Sequence, residues 1–102
     1  MYKKLANLNE IKEGLIKVVE TKYIRIGITK IADQIIAFED VCTHDGESIS
    51  SGVLESGCIV CPRHFAKFDL TSGKALCMPA TEDLPILKTK ISGEDIEVDI
   101  ED

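Results

Sequence analysis

Between residues 15 and 38 the chain is rich in β-branched residues, and in its middle the apolar residues recur at a spacing of two. In Tyr23-Ile24-Arg25-Ile26-Gly27-Ile28-Thr29 the isoleucines take the even positions and Arg25 and Gly27 fall between them. This is the period of a strand with one face turned inward. Residues 15–19 and 34–38 are rich in β-branched side chains and are set off by short polar stretches, so the pattern predicts a meander of three strands. Near the C-terminus, residues 86–91 and 96–100 flank Ser92-Gly93-Glu94-Asp95, a turn-forming group that predicts a closing hairpin whose strands join the first sheet. Helix is expected only as a single turn at Asn7-Leu8-Asn9-Glu10, with Asn7 as the cap and Glu10 at the reciprocal capping position.

Residues 41 to about 80 differ in texture. They hold all four cysteines, both histidines and two of the three prolines, and read as a loop-rich subdomain set into a β framework. A chain of 102 residues can bury one adequate core but not two, so residues 1–102 are expected to form one domain. With 44% hydrophobic and 29% charged residues the chain should fold. Its 18 acidic against 12 basic residues give a net charge of −6, which repels nucleic-acid backbones and anionic membrane surfaces. No apolar run follows Lys3-Lys4, and nowhere do about 18 apolar residues occur in succession, so neither a signal peptide nor a membrane span is visible and a cytoplasmic location is expected. In a reducing compartment thiols bind metal or stay free more often than they pair.

Two pairs then stand out, Cys42-Thr43-His44 and Cys61-Pro62-Arg63-His64. Each offers one thiolate and one imidazole. A binuclear iron–sulfur centre with two cysteines on one iron and two histidines on the other needs each loop to supply one ligand to each iron, and one or two intervening residues allow that. Asp45-Gly46 and Pro62 are suitable turn chemistry beside the ligands. Zinc is the competitor, because Cys58-Ile59-Val60-Cys61 is a Cys-x-x-Cys. The β-branched pair between its cysteines favours extended structure, in which residues 58 and 61 point to opposite faces. Cys58 and Cys77 are therefore expected to be packed thiols. A thioredoxin-like reading of the same Cys-x-x-Cys lacks the helix that should follow it.

These residues resemble the Rieske ferredoxin family, the soluble electron carriers of bacterial ring-hydroxylating oxygenase systems and their relatives. The likeness covers nearly the whole chain. It runs through Phe38-Glu39-Asp40-Val41-Cys42-Thr43-His44, Gly57 and the strand to Val60, Cys61-Pro62-Arg63-His64, Phe68-Asp69-Leu70, Thr71-Ser72-Gly73-Lys74 and Pro79-Ala80, where members of the family have a proline loop covering the cluster. The resemblance implies the all-β Rieske fold, antiparallel sheets in a compact barrel-like sandwich with the cluster at one tip. It also implies one [2Fe–2S] cluster held by Cys42, His44, Cys61 and His64. Two positions depart from the pattern: Arg63 stands where an apolar or aromatic residue is common, and Phe65 where many members have glycine. High-potential Rieske proteins of respiratory complexes resemble the same pattern, but they carry a disulfide between the two loops and a serine and tyrosine after the last ligand. Here those positions hold Glu47 and Arg63, and Ala66 and Phe68.

The resemblance implies an electron-transfer protein rather than an enzyme, moving one electron from a flavin-containing reductase to a terminal oxygenase. No nucleophile–base pair, phosphate loop or carboxylate dyad suggests a small-molecule substrate, and Asp69 and Thr71 read as turn residues. Two other readings are a Rieske-like small subunit of a larger reductase, such as assimilatory nitrite reductase, and a non-redox zinc-binding β domain.

Overall fold

The computed structural model describes residues 1–43, 46–63, 65–78 and 82–101. Among these the regular elements are eleven strands and one 3-10 turn. The expected turn forms at Leu8–Glu10. Asn7 Oδ1 accepts from the Asn9 N–H at 3.1 Å, and the Asn7 N–H donates to Glu10 Oε1 at 2.8 Å, so the reciprocal cap read from the sequence is present.

The meander consists of β2 (Lys17–Glu20), β3 (Arg25–Ile31) and β4 (Gln34–Glu39), paired antiparallel in that order. It is the middle of three layers. On one side lies a sheet of β1 (Tyr2–Asn7), β11 (Asp95–Asp99) and β10 (Thr89–Ser92), in the order β1-β11-β10. On the other lie β5 (Val53–Glu55), β6 (Cys58–Val60), β7 (Lys67–Asp69) and β8 (Ala75–Cys77), paired in sequence. Strand alternation lets β4 serve both sides, because Ala37 joins one core with Ile26, Ile28, Ile96 and Val98 while Ile36 and Phe38 join the other with Ile59 and Phe68. Each fully buried aliphatic side chain contributes about 1.5–3 kcal/mol.

Strand β3 is covered on both faces, not on one as its alternation predicts. Ile26, Gly27, Ile28 and Thr29 are all buried, and the Thr29 hydroxyl is satisfied by donating to Leu15 O at 2.6 Å. Gly27 lies opposite Phe38 in register, and a Cβ there would overlap the Phe38 ring. Gly27→Val should therefore destabilise the protein by about 1–3 kcal/mol through overpacking. A lower urea midpoint at unchanged slope is the expected reading.

The C-terminal expectation needs correction. The segment read as one strand is two: β9 (Ile86–Leu87) pairs with β4, then the chain passes Lys88 and continues as β10 against β11. Only β9 joins the meander. The hairpin itself forms as expected, with Ser92 opposite Asp95 and Gly93 at φ +63°, the left-handed conformation a two-residue loop demands. Strand β1 carried no readable alternation, because only Ala6 of its six residues is buried and the register slips between Lys4 and Ala6. The region read as loop-rich holds a regular four-stranded sheet, but its strands are three residues long, too short to show a period. No helix among the described residues is long and apolar enough to cross a membrane.

Candidate metal centre

Two loops leave adjacent layers and close in the same way. The first follows β4, where the Cys42 N–H donates to Glu47 O at 2.7 Å and the Gly46 N–H donates to Cys42 O at 2.7 Å. The second follows β6, where the Cys61 N–H donates to Ala66 O at 2.7 Å and the Phe65 N–H donates to Cys61 O at 3.0 Å. In each, the fourth residue after the cysteine is left-handed, Gly46 at φ +76° and Phe65 at φ +62°. The loops are thus two copies of one backbone device, a six-residue turn pinned at both ends of a cysteine. Glycine adopts that conformation freely, whereas phenylalanine does so at a cost of about 1–2 kcal/mol.

Cys42 and Cys61 are both fully buried and belong to one apolar core with Ile49, Ile59, Ala66, Phe68, Leu70 and Leu84. The fold therefore brings together the two cysteines the sequence singles out. His44 and His64, which fall inside the two pinned turns by sequence, lie outside the described residues, as do Asp45 and Pro79-Ala80. Without the histidines, no three His, Cys, Asp or Glu side chains gather for a metal among the described residues.

The first loop has a support that sequence reading missed. The Asp40 side chain is 0% exposed. Its Oδ1 accepts from the N–H groups of Ile49 at 2.9 Å and Ser50 at 2.7 Å, and its Oδ2 accepts from Ser48 Oγ at 2.7 Å. Arg25 Nη2 stands 3.4 Å from Oδ2, and the Asp40 N–H donates to Arg25 O at 2.8 Å. Burial pushes this carboxyl up, but the hydrogen bonds from Ser48, Ser50 and Ile49 outweigh it and hold the group below its ordinary value. The clamp ties the exit of β4, two residues before Cys42, to the far side of the loop and to β3. Its only sequence trace is an aspartate eight residues before Ser-x-Ser, a pattern too common to single out. Farther along, the Thr43 hydroxyl donates to Glu82 O at 2.6 Å, fastening the first loop to the segment before β9.

The remaining cysteines divide. In β6 Ile59 is buried and Cys58 is only half-buried, its Sγ 3.8 Å from Ser56 O. Residues 58 and 61 thus differ in burial as extended structure requires, and the tight knuckle a Cys-x-x-Cys zinc site needs is absent there. Cys77, expected to be packed, is instead exposed on the edge strand β8, with its Sγ 3.6 Å from Phe65 O. Asp69 Oδ1 accepts from the Thr71 hydroxyl at 2.7 Å and N–H at 2.8 Å. These bonds from Thr71 hold its carboxyl below the ordinary value and make it a turn residue, as expected.

Comparison with known proteins agrees with this geometry. Residues 1–88 match the family described as Rieske [2Fe-2S] domain. The chain is 33% identical over 93 residues to the ferredoxin component of the naphthalene 1,2-dioxygenase system of Pseudomonas aeruginosa, covering 91% of this chain and 89% of that one. It is 37% identical over 86 residues to the ferredoxin component of the naphthalene 1,2-dioxygenase/salicylate 5-hydroxylase systems of Ralstonia sp, covering 84% and 83%. Among solved structures, the complex of reduced oxygenase and oxidized ferredoxin in carbazole 1,9a-dioxygenase superposes with a TM-score of 0.88 at 26% identity, covering 95% of this chain and 91% of that one.

Proposed function

The chain belongs to the Rieske [2Fe-2S] domain family, and from that premise we propose that it is a cytoplasmic one-electron carrier, a single domain spanning residues 1–102, that serves a terminal oxygenase. Cys42 and Cys61 would hold one iron of a [2Fe–2S] cluster, and His44 and His64 the other. The observation that carries this reading is the repeated turn: two loops with the same closing hydrogen bonds each bury one cysteine in one shared core and each carry one histidine. The donor set fits the group, since two thiolates and two imidazoles divided between two loops are what such a centre requires.

When bound, the cluster supplies one-electron chemistry. This chain's residues do the rest. Full burial of Cys42 and Cys61 keeps water from the thiolates, and the Arg25–Asp40 clamp fixes the loop that presents Cys42 and His44. Ala66 and Phe68 are fully buried beside the cysteines and have no side-chain donor to offer sulfur. Donors aimed at sulfur stabilise the more negative reduced form, so their absence lowers the potential.

Iron and acid-labile sulfide analysis of freshly purified protein tests the cluster. Equal iron and sulfide, two of each per chain, is expected from the family description, and stoichiometric zinc without sulfide would overturn it. Copurification with a large reductase would make the chain a subunit rather than a free carrier. Voltammetry tests the potential. The midpoint should lie in the lower part of the Rieske range of about −150 to +300 mV, and a value above roughly +100 mV contradicts the argument. Ala66→Ser with Phe68→Tyr should raise it.

A further inference from the structure

Three consecutive residues ahead of β9 are each fastened to a different part of the molecule. Glu82 O accepts from the Thr43 hydroxyl at 2.6 Å. Asp83 Oδ1 accepts from the Ala75 N–H of β8 at 2.9 Å. The Leu84 N–H donates to Gly73 O at 2.6 Å, and a Cβ on Gly73 would overlap Leu84 O, so the turn between β7 and β8 meets this segment backbone to backbone. The Leu84 side chain is buried in the core that also holds Cys42 and Cys61. Asp83 itself is exposed, and its carboxylate reaches back eight residues to a strand.

Together these fastenings join the two pinned turns. Thr43 lies in the first, between Cys42 and His44. The β7–β8 hairpin grows out of the second: β7 starts at Lys67, next to Ala66, whose carbonyl accepts from the Cys61 N–H at 2.7 Å. At the far end of the same hairpin, Cys77 Sγ lies 3.6 Å from Phe65 O. Residues 82–84 therefore run as a brace from the hairpin of one loop to the side of the other. The backbone bond at Leu84 alone would leave that brace a pivot about which to turn. Asp83 supplies a second point on the hairpin, and two points fix where Glu82 O meets the Thr43 hydroxyl.

We propose that Asp83 is a positioning residue for the cluster: its carboxylate locks residues 82–84 onto β8, and the locked brace holds the first loop, through Thr43, in register with the second. The proposal rests on the reading of Cys42, His44, Cys61 and His64 as ligands, and it adds a residue outside both loops that keeps the two halves of that set together. A ligand set divided between two loops loses metal when one of them swings away, so a brace between the loops slows release.

The test compares cluster-loaded wild type with Asp83→Ala, Asp83→Asn and Val98→Ala. Both Asp83 variants lose the charge, but only asparagine keeps an oxygen for the Ala75 N–H, so the difference between them reads the hydrogen bond. Val98, fully buried in the other core, serves as the stability control. Asp83→Ala should release iron to a chelator about fivefold faster than wild type, the effect of losing one exposed hydrogen bond, and backbone hydrogen exchange over residues 40–48 should quicken with it. Asp83→Asn should recover most of both. Val98→Ala should lower Tm more than Asp83→Ala does and yet release iron more slowly. Release and exchange that are the same in the Ala and Asn variants overturn the proposal. Faster exchange confined to residues 73–77 and 82–84 makes Asp83 a local turn residue and overturns it too. Iron release that simply follows Tm, with Val98→Ala fastest, assigns retention to global stability and does the same. All three leave the ligand reading standing, whereas wild-type protein without iron and sulfide removes the proposal together with that reading.

Discussion

Replacing any one of Cys42, His44, Cys61 or His64 by alanine should abolish the visible spectrum and the bound iron, while Cys58→Ser and Cys77→Ser should retain both. The contrast follows from position. Cys42 and Cys61 are fully buried at the base of the two pinned turns, whereas Cys58 is half-buried beside Ser56 O and Cys77 lies on an exposed edge. A cluster iron needs its complete ligand set, but a thiol that touches one carbonyl can become a hydroxyl at little cost. The loss should extend to stability. The proposed ligands come from loops in different parts of the chain, so the cluster ties them together, and cluster-free protein should melt lower than loaded protein. Iron content by inductively coupled plasma spectrometry and Tm by circular dichroism check both halves. A Cys58→Ser variant as empty of iron as Cys61→Ser would show that the ligand set is wrong.

Asp40→Ala should be strongly damaging although Asp40 lies outside the proposed ligand set. It strips the acceptor from two backbone N–H groups and a hydroxyl in a site where the carboxylate is wholly buried. Leaving buried donors unmade costs about 1–3 kcal/mol each, so a loss of roughly 3 kcal/mol or more is expected. For a domain of this size that lowers Tm by about 12 °C or more. Asp40→Asn keeps an oxygen for Ile49 and Ser50 but sets an amide against Arg25, and it should lose about half as much. Because the clamp holds the loop that carries Cys42, the alanine variant should also release iron faster when challenged with a chelator. Equal losses for Ala and Asn would place the effect in the charge rather than in the hydrogen bonds.

Much of the fold was written in local pattern. Period-two alternation marked β3, β-branched runs between polar stretches marked β2 and β4, Gly93 marked the closing turn, and Asn7 with Glu10 marked the 3-10 turn, because each depends only on neighbours within a few residues. The four candidate ligands were legible for the same reason: a Cys-x-His and a Cys-x-x-His are short-range signals, and a chain with two histidines has few ways to form them.

What tertiary structure alone decided are matters of which face meets which layer. Residues 86–91 look like one strand, yet β4 accepts only Ile86 and Leu87 before the chain crosses to pair with β11. The alternation of β3 gives no hint that a second layer covers Gly27 and Thr29, since glycine and a satisfied hydroxyl can be buried without looking apolar. Nothing local marks Asp40 as buried, and only the fold brings Ser48, Ile49 and Ser50 back to surround it. Phe65 is marked in the sequence only as standing where many family members have glycine, and the fold alone shows its backbone left-handed and the residue exposed. The sequence by itself determined the meander, the closing turn and the candidate ligand set, because strand composition, turn residues and motif spacing are local. Pairing order, the clamp and the exposed aromatic were decided by contacts between residues far apart in the chain, which no local pattern records.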